Sequence, residues 1–483
     1  MQNLIGELTE ALGAGAVLTR PEDVPAYVED WRGRYRGPAS AVVLPSSAEE
    51  VSQVVRICMR HGVPVLPQGG NTSLSGGAVP AAEGVPPVVV SLQRLRRIRS
   101  IDAANNTITV DAGCVLASVQ DAAVAAGRLY PVSLGAEGSC LIGGTIATNA
   151  GGTGVLRYGN TRDNVLGLEV VLPDGTIWDG LYALRKNNTG YDLKHLFIGS
   201  EGTLGIITGA VLKLHPLPTA HAMAWLSIAS PQAALDLLTM LQSSCGPRLS
   251  AFELLDENQI RLVLEHVAGR RCPVADVAGW HLLVELSDAG ESAELDARLE
   301  AALGPAMEAG LVVDAVIAAS GAQRAAFWEF RHSVSEANKK GGVGLTSDTA
   351  VPVSAVPAFI EAATAAVQAL VPNLPVVIVA HLGDGNVHFI PFFSFEIWNG
   401  LADKDAMARQ VRRTVNDVAA RFGGTFSAEH GVGQTLIREM ARYKPPVELA
   451  LMQAVKRALD PAGLFNPGRL LPSGPAFDDQ EPA

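Results

Sequence analysis

The sequence predicts an α+β protein with more than one domain, and three observations support this. Its 483 residues exceed the usual size of a single domain. Short apolar runs, such as 41–44 and 88–92, alternate with amphipathic stretches long enough for helices. The segment Pro216-Leu-Pro218 then interrupts this pattern, and Ala-rich helices and apolar strands follow it. We therefore predict four segments, at residues 1–218, 219–440, 441–472 and 473–483, the last of them a disordered tail.

The first domain is predicted from its start and turn signals. The segment Pro45-Ser-Ser-Ala-Glu-Glu50 predicts a helix that extends to about residue 60, because a Ser followed by acidic residues satisfies the free N–H groups of a first turn. The turn Pro173-Asp-Gly175 between two apolar runs predicts a hairpin. Strands are also predicted at 41–44, 63–67, 88–92, 106–110 and 211–215, and a second helix at 116–126.

The second domain is predicted from the length and spacing of its apolar runs. Its predicted strands are 225–228, 281–286 and 311–317, and its predicted helices are 231–244, 292–302 and 356–371. A last helix begins near residue 445, ahead of the segment 460–469.

Composition and charge exclude several classes of protein. Apolar residues make up 48% of the chain, which excludes global disorder. The formal charge of −12, with no basic stripe to offset it, argues against nucleic acid as a partner. The five cysteines are never spaced as Cys-x-x-Cys, which indicates a reducing compartment. The first ten residues indicate an amphipathic helix rather than a signal peptide. No uncharged apolar run nears the roughly 20 residues that span a bilayer, so we predict a cytoplasmic protein without a transmembrane segment.

The first glycine-rich block is Pro67-Gln-Gly-Gly-Asn-Thr-Ser-Leu-Ser-Gly-Gly77, directly after a predicted strand. Glycine permits close backbone approach, so such a loop can turn its N–H groups inward and bind a diphosphate. An ordinary glycine turn is the alternative. The block is neither a Walker A loop nor a Rossmann fingerprint, because it has no Gly-Lys-Ser/Thr and no helix-opening G-x-G-x-x-G.

Two further glycine-rich blocks follow. The block at 131–152 shows neither strand nor helix periodicity, so we predict a loop throughout, and a loop of that length inside a domain is usually functional. The block at 192–208 contains Gly199-Ser-Glu-Gly-Thr-Leu-Gly205 and leads into a predicted strand.

A pair of histidines brackets a turn in the second domain. In Ile378-Val-Ala-His-Leu-Gly-Asp-Gly-Asn-Val-His-Phe-Ile390 the dipeptide Asp384-Gly385 predicts a two-residue hairpin turn. Counting outward from that turn pairs Gly383 with Asn386, Leu382 with Val387 and His381 with His388. Directly opposed side chains share one face of a sheet, about 5 Å apart at Cβ. The two imidazoles are therefore either metal ligands or hydrogen-bonded structural histidines.

Three more side chains could take part in metal binding, substrate binding or catalysis. Glu429 and His430 are adjacent, so on extended backbone their side chains would point in opposite directions, and one of them could join the two histidines. Two His and a carboxylate with an open position suit Zn²⁺, Mn²⁺ or Fe²⁺, and a Glu that only orients a histidine is the alternative. Arg331 is either a bidentate carboxylate clamp or a solvated residue on a helix face.

Taken together over about residues 35–472, these blocks resemble the FAD-linked D-2-hydroxyacid dehydrogenases, which include D-2-hydroxyglutarate and D-lactate dehydrogenases. That family belongs to the vanillyl-alcohol-oxidase (PCMH-type) flavoprotein superfamily. The resemblance implies a PCMH-type FAD-binding domain of two α+β subdomains and an α+β substrate (cap) domain. It also implies that the C-terminal segment returns to the FAD domain. Many relatives attach flavin through a His where this chain has Asn71, so we expect non-covalent FAD.

The resemblance also implies roles for individual residues. The residues implied in FAD binding are Pro67, Gln68, Gly69, Gly70, Asn71, Thr72, Ser73, Leu74, Gly76, Gly77, Pro131, Leu134, Gly135, Gly138, Ser139, Gly143, Gly144, Asn149, Gly152, Glu201, Gly202, Gly205, Ile207 and Asn466. Glu201, Gly202, Gly205 and Ile207 would hold the adenine side. The implied ligands of a divalent metal, Zn or Mn, are His381, His388 and Glu429. His430 would be the base, Arg331 would clamp the substrate carboxylate, and Ser335, Thr346 and Ile390 would line the substrate site.

The implied reaction is oxidation of a D-2-hydroxy acid to the 2-oxo acid, with a metal lowering the pKa of the substrate hydroxyl. His430 would remove the hydroxyl proton, and the C2 hydride would pass to flavin N5. We expect an electron-transfer protein or a quinone as acceptor and a homodimer as assembly. An oxidase of the same fold that uses O₂ and a non-catalytic flavin or small-acid binder are the alternatives.

The substrate is where this sequence departs from the D-2-hydroxyglutarate enzymes. Those enzymes have a Lys where this chain has Thr346, ahead of Asp348-Thr-Ala-Val-Pro352, and an Asn where it has Ile390. Both partners of a distal carboxylate would then be absent, unless Lys339 or Lys340 replaces them. The sequence therefore predicts a monocarboxylic D-2-hydroxy acid as the better substrate.

Overall fold

The computed structural model of the chain describes residues 2–472, so the tail predicted at 473–483 lies outside the described residues. The chain forms two compact units. In the described part, unit 1 comprises 2–152, 160–217 and 429–472, and unit 2 comprises 153–159 and 218–428. The sequence placed the C-terminal segment at 441, whereas residues 429–440 already group with unit 1. Backbone hydrogen bonds join this segment to unit 1, among them those from Gln434 N–H and Thr435 N–H to the Ser75 carbonyl, and no sequence pattern predicts them.

The structure has nineteen strands and seventeen α-helices within the described residues. The strands are β1 Val17–Leu18, β2 Ala41–Val43, β3 Val65–Gln68, β4 Val88–Ser91, β5 Ile98–Asp102, β6 Thr107–Asp111, β7 Arg128–Leu129, β8 Val165–Val171, β9 Ile177–Gly180, β10 Ile206–Lys213, β11 His215–Pro216, β12 Ala220–Ile228, β13 Leu249–Asp256, β14 Trp280–Asp288, β15 Val312–Ile317, β16 Val343–Gly344, β17 Ser347–Ala350, β18 Val376–His381 and β19 Asn386–Phe393. The helices are α1 Gln2–Leu12, α2 Pro25–Val28, α3 Ala48–His61, α4 Leu116–Ala125, α5 Ile142–Ala147, α6 Val155–Tyr158, α7 Lys194–Phe197, α8 Pro231–Cys245, α9 Glu257–His266, α10 Ser292–Glu308, α11 Gly321–His332, α12 Val334–Gly341, α13 Val356–Leu370, α14 Phe395–Gly400, α15 Lys404–Arg421, α16 Ile437–Tyr443 and α17 Pro446–Leu459.

Unit 1 contains two main sheets and a short ribbon. The first sheet has the order β1-β2-β4-β3, with β2, β4 and β3 parallel and β1 antiparallel. The second is fully antiparallel, in the order β5-β6-β10-β8-β9, and β7 pairs with β11. The α3 helix begins where the sequence predicted, because the Ser47 side chain accepts a hydrogen bond from the Glu50 N–H. It ends at Gly62 in the left-handed conformation.

The C-terminal segment belongs structurally to unit 1. Phe465 forms a parallel bridge with Val65 at the edge of β3. Lys456 Nζ donates to the carbonyls of Thr203 (2.7 Å) and Phe465 (2.8 Å) and to the Asp460 carboxylate (2.6 Å). Charge-assisted bonds of this kind are strong, so α17 and the turn after it are fixed onto the third glycine-rich block.

Unit 2 is organised on an eight-stranded sheet whose main order is β15-β12-β14-β13-β18-β19-β16, with β17 also paired to β19. One face packs against α8, α10, α13 and α15 through residues such as Leu226, Val284 and Phe389. The other packs against α9, α11 and α12 through residues such as Trp225 and Leu283. Successive side chains alternate between these two cores, so both faces of the central strands are apolar apart from a few polar positions.

Most elements predicted from the sequence are confirmed within two or three residues, but β10 and β12 begin five residues earlier than predicted and α10 ends six residues later. Elements that were missed include β5, β13, β17, α9, α11, α12 and α15. The prediction of a continuous loop over 131–152 was wrong, because α5 lies inside it. Its Ile142 and Ile146 are buried in the core of unit 1. A Cβ on Gly143 would lie 2.8 Å from the Ala112 Cβ, so the glycine that masks the helical pattern is needed for packing.

The predicted register of the histidine hairpin was also wrong. The connection is a 3₁₀ turn, Leu382–Asp384, followed by Gly385 in the left-handed conformation, so it has four residues rather than two. His381 therefore pairs with Asn386, and His388 pairs with Val379. The shift amounts to two positions, so His381 and His388 remain on the same face of the sheet.

One helix of unit 2 qualifies as a membrane span on length and composition alone, which the sequence reading did not anticipate. Residues 353–370, comprising α13 and the turn before it, have a mean hydropathy of 1.5. Five of its apolar side chains, however, lie in the core of the unit: Val356, Phe359, Ile360, Ala363 and Val367. A core helix meets the same criteria, so this helix is weak support for a membrane span.

We predict that Gly385→Ala lowers the thermal stability of the protein much more than Gly423→Ala. Both glycines are left-handed, with φ of +84° and +72°, so alanine costs about 1–2 kcal/mol at either site. A Cβ at Gly385 would in addition lie 2.2 Å from the Val351 carbonyl oxygen, whereas one at Gly423 meets nothing within 4 Å. The measurement is the midpoint of thermal unfolding by circular dichroism. Equal losses would contradict a role for Gly385 in closing this turn.

Candidate active site

The first two glycine-rich blocks approach each other backbone to backbone in unit 1. A Cβ on Gly70 would lie 2.1 Å from the Ser139 carbonyl oxygen, and one on Gly69 would lie 3.5 Å from the Gly144 Cα. Gly152, with φ of +121°, is equally constrained, since its Cβ would lie 2.0 Å from the Ser133 carbonyl oxygen. A side chain is therefore excluded at Gly70 and Gly152, whereas at Gly69 a Cβ would make an ordinary van der Waals contact.

Side chains of the first block hold its conformation. Gln68 Nε2 donates to the carbonyls of Tyr27 (2.9 Å) and Ala78 (2.7 Å), and Asn71 Nδ2 donates to those of Ala26 (3.1 Å) and Glu29 (2.8 Å). Ser73 Oγ accepts from the N–H groups of Ser75 and Gly77. The loop is therefore shaped by the protein itself.

The same loop presents unused donors. Among the described residues, no hydrogen bond joins the backbone N–H groups of Gly69, Gly70, Asn71 and Thr72 to a protein acceptor. Asn71 is left-handed, with φ of 54°, and successive N–H groups in such a turn can form a nest that favours an anion such as a diphosphate.

The remaining residues of the predicted flavin site lie in the same unit. Pro131 and Leu134 precede α5, Gly135, Gly138 and Ser139 form the turn before it, and Asn149 follows it at φ of 50°. Asn466, at φ of 42°, donates from Nδ2 to the carbonyls of Gly77 (3.3 Å) and Glu201 (2.7 Å). Its Oδ1 is buried and has no partner among residues 2–472, so it can accept a bond from a ligand N–H.

The third block contributes a buried carboxylate that contacts the loop after His430. Glu201 accepts the N–H groups of Val432 and Gly433, each at 2.7 Å. Burial raises the pKa of Glu201, while those two bonds and the charge of Arg469 act in the opposite direction. Gly205 and Ile207, near and on β10, lie in the packed interior of unit 1, and Gly202 lies against the Pro67 ring.

The segment that carries His430 is also fixed to the first block. Ser75 Oγ donates to the His430 carbonyl (3.2 Å), and the Ser75 carbonyl accepts the N–H groups of Gln434 (3.0 Å) and Thr435 (3.2 Å). The expectation that the side chains of Glu429 and His430 diverge was wrong. The backbone bends here instead of extending, and His430 Nε2 lies 3.8 Å from Glu429 Oε1.

In unit 2, His381 and His388 form a close pair. Their ring centroids are 5.4 Å apart at an interplanar angle of 82°. Glu253 Oε1 lies 2.6 Å from His381 Nδ1, whereas Asp348 Oδ1 lies 3.6 Å from His388 Nδ1, beyond hydrogen-bonding distance. A carboxylate bonded to Nδ1 directs the Nε2 lone pair outward, which is the usual arrangement of a metal-binding histidine, and His381 has that arrangement.

Glu253, on β13, is only 1% exposed and was not predicted as a site residue from the sequence. Its Oε1 faces His381, and its Oε2 accepts bonds from Nε (2.9 Å) and Nη2 (2.7 Å) of Arg331, at the end of α11. Burial raises the pKa of Glu253, but the charges of His381 and Arg331 and their hydrogen bonds outweigh it and lower the pKa to about 2. An acidic residue between apolar neighbours, in Ala251-Phe-Glu-Leu-Leu255, was the available signal.

Asp348, on β17 opposite His388, organises the end of unit 2. Its Oδ1 accepts from Asn386 Nδ2 (3.0 Å), and its Oδ2 accepts from the Ala428 N–H (3.1 Å). Glu429 follows Ala428 directly in the chain. The buried Asp348 carboxylate thus fixes Ala428, the residue before Glu429, the predicted metal ligand, and His430, the predicted base.

The predicted specificity positions Thr346 and Ile390 are cross-strand neighbours. The pairs Gly344–Phe392 and Asp348–His388 share one register, which places Thr346 opposite Ile390. Ile390 is 4% exposed and packs with Val377 and Phe392, whereas Thr346 is exposed. Ser335, in the first turn of α12, is exposed as well.

The comparisons with known proteins agree with these features. Residues 39–180 match the family described as FAD binding domain, and residues 217–470 match the family described as FAD linked oxidases, C-terminal domain. A D-2-hydroxyglutarate dehydrogenase of Xanthomonas citri pv. viticola is 40% identical over 463 residues, covering 96% of each protein. The mitochondrial D-2-hydroxyglutarate dehydrogenase of Arabidopsis thaliana is 36% identical, covering 96% of this chain and 80% of that protein.

A solved structure of p-cresol methylhydroxylase with substrate bound has the same fold. It is 16% identical to this chain, with a TM-score of 0.75, and the match covers 97% of this chain and 96% of that one. The predicted α+β class and PCMH-type flavoprotein fold are confirmed. With two family matches that together span most of its length, the chain belongs to the FAD-linked D-2-hydroxyacid dehydrogenases, oxidoreductases that act on CH–OH groups.

Proposed function

We propose that this enzyme oxidises a D-2-hydroxy acid to the 2-oxo acid with the assistance of a divalent metal, and that His430 is the base. The observation that supports this most strongly is the pairing in unit 2 of an imidazole and a guanidinium on one buried carboxylate, His381–Glu253–Arg331. It combines a group suited to a metal with a group suited to a substrate carboxylate.

FAD, when bound, supplies the two-electron acceptor for the hydride on C2. The N–H groups of the first glycine-rich block would hold its diphosphate, and Asn466 Oδ1 would accept from one of its N–H donors. Asn71 donates to two backbone carbonyls and has no nucleophilic ring nitrogen, which supports non-covalent attachment.

A divalent metal, when bound, supplies a charge that lowers the pKa of a coordinated hydroxyl group. His381 and His388 offer imidazole nitrogens, and Glu429 offers a carboxylate, a donor set that suits Zn²⁺ or Mn²⁺. Arg331 would orient the substrate by its C1 carboxylate through the guanidinium N–H groups not used by Glu253. His430 would then receive the hydroxyl proton.

We expect a D-2-hydroxy acid to bleach the visible flavin absorbance of the anaerobic enzyme, and His430→Ala to slow that reduction by about 100-fold or more. The variant should retain its flavin, which acid precipitation should release into the supernatant if attachment is non-covalent. His61→Ala is the matched control, because His61 is an imidazole of the same unit that pairs with Glu7 on the surface. Stopped-flow absorbance gives the rates. Unchanged single-turnover reduction in His430→Ala would exclude this histidine as the base.

Metal removal gives a second prediction. Incubation with EDTA should abolish turnover without releasing flavin, and added Zn²⁺ or Mn²⁺ should restore it, because the proposed ligands His381 and His388 belong to unit 2 whereas the glycine-rich blocks proposed to hold FAD belong to unit 1. Elemental analysis before and after treatment shows whether turnover follows the metal content of the protein. An enzyme that contains no metal and is indifferent to EDTA would remove the metal from the reaction.

The proposed substrate is a monocarboxylic D-2-hydroxy acid, although the relatives named above are D-2-hydroxyglutarate dehydrogenases. Thr346 and Ile390 present no cation, and Ile390 belongs to an apolar cluster. Of the two lysines that could replace the missing cation, Lys340 forms an exposed pair with Glu336 at 2.6 Å, and Lys339 is also exposed. An unpaired carboxylate in a buried site costs several kcal/mol, and an apolar substituent would instead gain about 25 cal/mol per Å² buried.

We therefore expect kcat/KM for D-lactate to exceed that for D-2-hydroxyglutarate on the same enzyme preparation. The double variant Thr346→Lys, Ile390→Asn should move the ratio toward the dicarboxylate, because it introduces a cation and an amide at facing positions of the sheet. A wild-type ratio that favours D-2-hydroxyglutarate tenfold or more would show that another cation binds the distal carboxylate.

The other elements of the sequence reading stay predictions. These are an electron-transfer protein or quinone as acceptor, a homodimeric assembly and a cytoplasmic location.

A further inference from the structure

We propose that Glu253 is a positioning residue that couples the metal site to the substrate arginine: its two carboxylate oxygens fix the tautomer of His381 and the orientation of Arg331 at the same time. This inference rests on the proposed function and adds a residue that lies outside every motif singled out from the sequence.

Each carboxylate oxygen of Glu253 contacts one partner, His381 or Arg331. Oε1 lies 2.6 Å from His381 Nδ1, and Oε2 lies 2.9 Å from Arg331 Nε and 2.7 Å from Nη2. The side chains of Glu253, Arg331 and His381 are 2%, 11% and 8% exposed, so little water competes for these bonds. A carboxylate paired with an arginine is an acceptor only, so Nδ1 of His381 carries the proton and Nε2 is left as the metal donor.

The sheet explains how the three groups meet. Glu253 pairs directly with His381 across β13 and β18, so both side chains lie on the same face. Arg331 reaches that face from α11, which packs on it through Phe327 and Phe330. A change in Glu253 is therefore transmitted to both partners without passing through the rest of the core.

Two substitutions separate the effect of the negative charge of Glu253 from the effect of its side-chain length. In Glu253→Gln the amide oxygen must face Arg331, which has no acceptor, so the amide NH₂ group faces His381 Nδ1. The imidazole then satisfies it by moving its proton to Nε2, which removes the metal donor. In Glu253→Asp the charge is kept, but a side chain one methylene shorter cannot reach both partners.

The matched control lies on the same strand. Asp256 is also a buried carboxylate, but it accepts from the backbone N–H groups of Gln259 (3.1 Å) and Ile378 (2.9 Å) rather than from any proposed site residue. Asp256→Asn makes the same chemical change as Glu253→Gln on β13, so it reports the general effect of replacing a buried carboxylate in this sheet.

The test measures Zn²⁺ affinity of the metal-free flavoprotein by chelator competition, and kcat and KM for the hydroxy acid separately. We expect Glu253→Gln to weaken Zn²⁺ binding at least about tenfold. We expect Glu253→Asp to raise KM more than it lowers kcat, because the orientation of Arg331 is lost. Asp256→Asn should lower the unfolding temperature and leave Zn²⁺ affinity and KM unchanged.

Each outcome has one meaning. Folded Glu253 variants with wild-type Zn²⁺ affinity and KM would overturn the inference, as would equal changes in Asp256→Asn. A wild-type protein that binds no divalent metal would overturn the proposed metal assistance itself, and with it the metal half of this inference. The effect of Glu253→Asp on KM would then decide the arginine half.

Discussion

A single buried ionic interaction, that of Glu253 with Arg331 and His381, constrains the sheet of unit 2. Removing a carboxylate from water costs several kcal/mol, and this carboxylate lies in the middle of an apolar strand. The cost is offset only while both partners remain in place, at 2.7 Å and 2.6 Å. The strand order β14-β13-β18 and the packing of α11 are therefore tied to one another. An ion pair of this kind gives little net stability, because the cost of burying the charges offsets their attraction, but losing either partner would leave an uncompensated buried charge.

In unit 1 a buried carboxylate binds backbone N–H groups instead of charged side chains. Glu201 holds the backbone N–H groups of Val432 and Gly433, while Ser75 holds the His430 carbonyl. A Cβ on Gly433 would lie 2.1 Å from the Ser75 carbonyl oxygen, so the loop is also held by close backbone packing. The proposed base is thereby fixed to the glycine-rich blocks that would hold FAD. Its position depends on the cofactor loop rather than on a regular element of its own.

The sequence allowed the fold class to be predicted and candidate site residues to be named, since glycine blocks and histidine pairs are distinctive in a sequence. Strand β13, which carries Glu253, was not predicted, because it is buried on both faces and so lacks the alternation that marks a half-exposed strand. The sequence reading also misjudged Glu429 and His430. The two residues lie in a bend at 428–430, and the residues on either side are bonded to distant carboxylates, Ala428 to Asp348 and Val432 to Glu201. Local propensity contains no information about partners so distant in the chain.

The histidine pair shows why a wrong register can still lead to a correct grouping. A turn of four residues in place of two shifts the cross-strand partner of His381 from His388 to Asn386, a displacement of two positions. Side chains on a strand repeat with a period of two, so a shift by an even number preserves the face, whereas a shift by one would have separated the rings. Each imidazole also has a carboxylate directly opposite it on its outer neighbouring strand, Glu253 on β13 for His381 and Asp348 on β17 for His388. Those pairings depend on the registers β13-β18 and β17-β19, so the length of the turn between the two histidines does not change them.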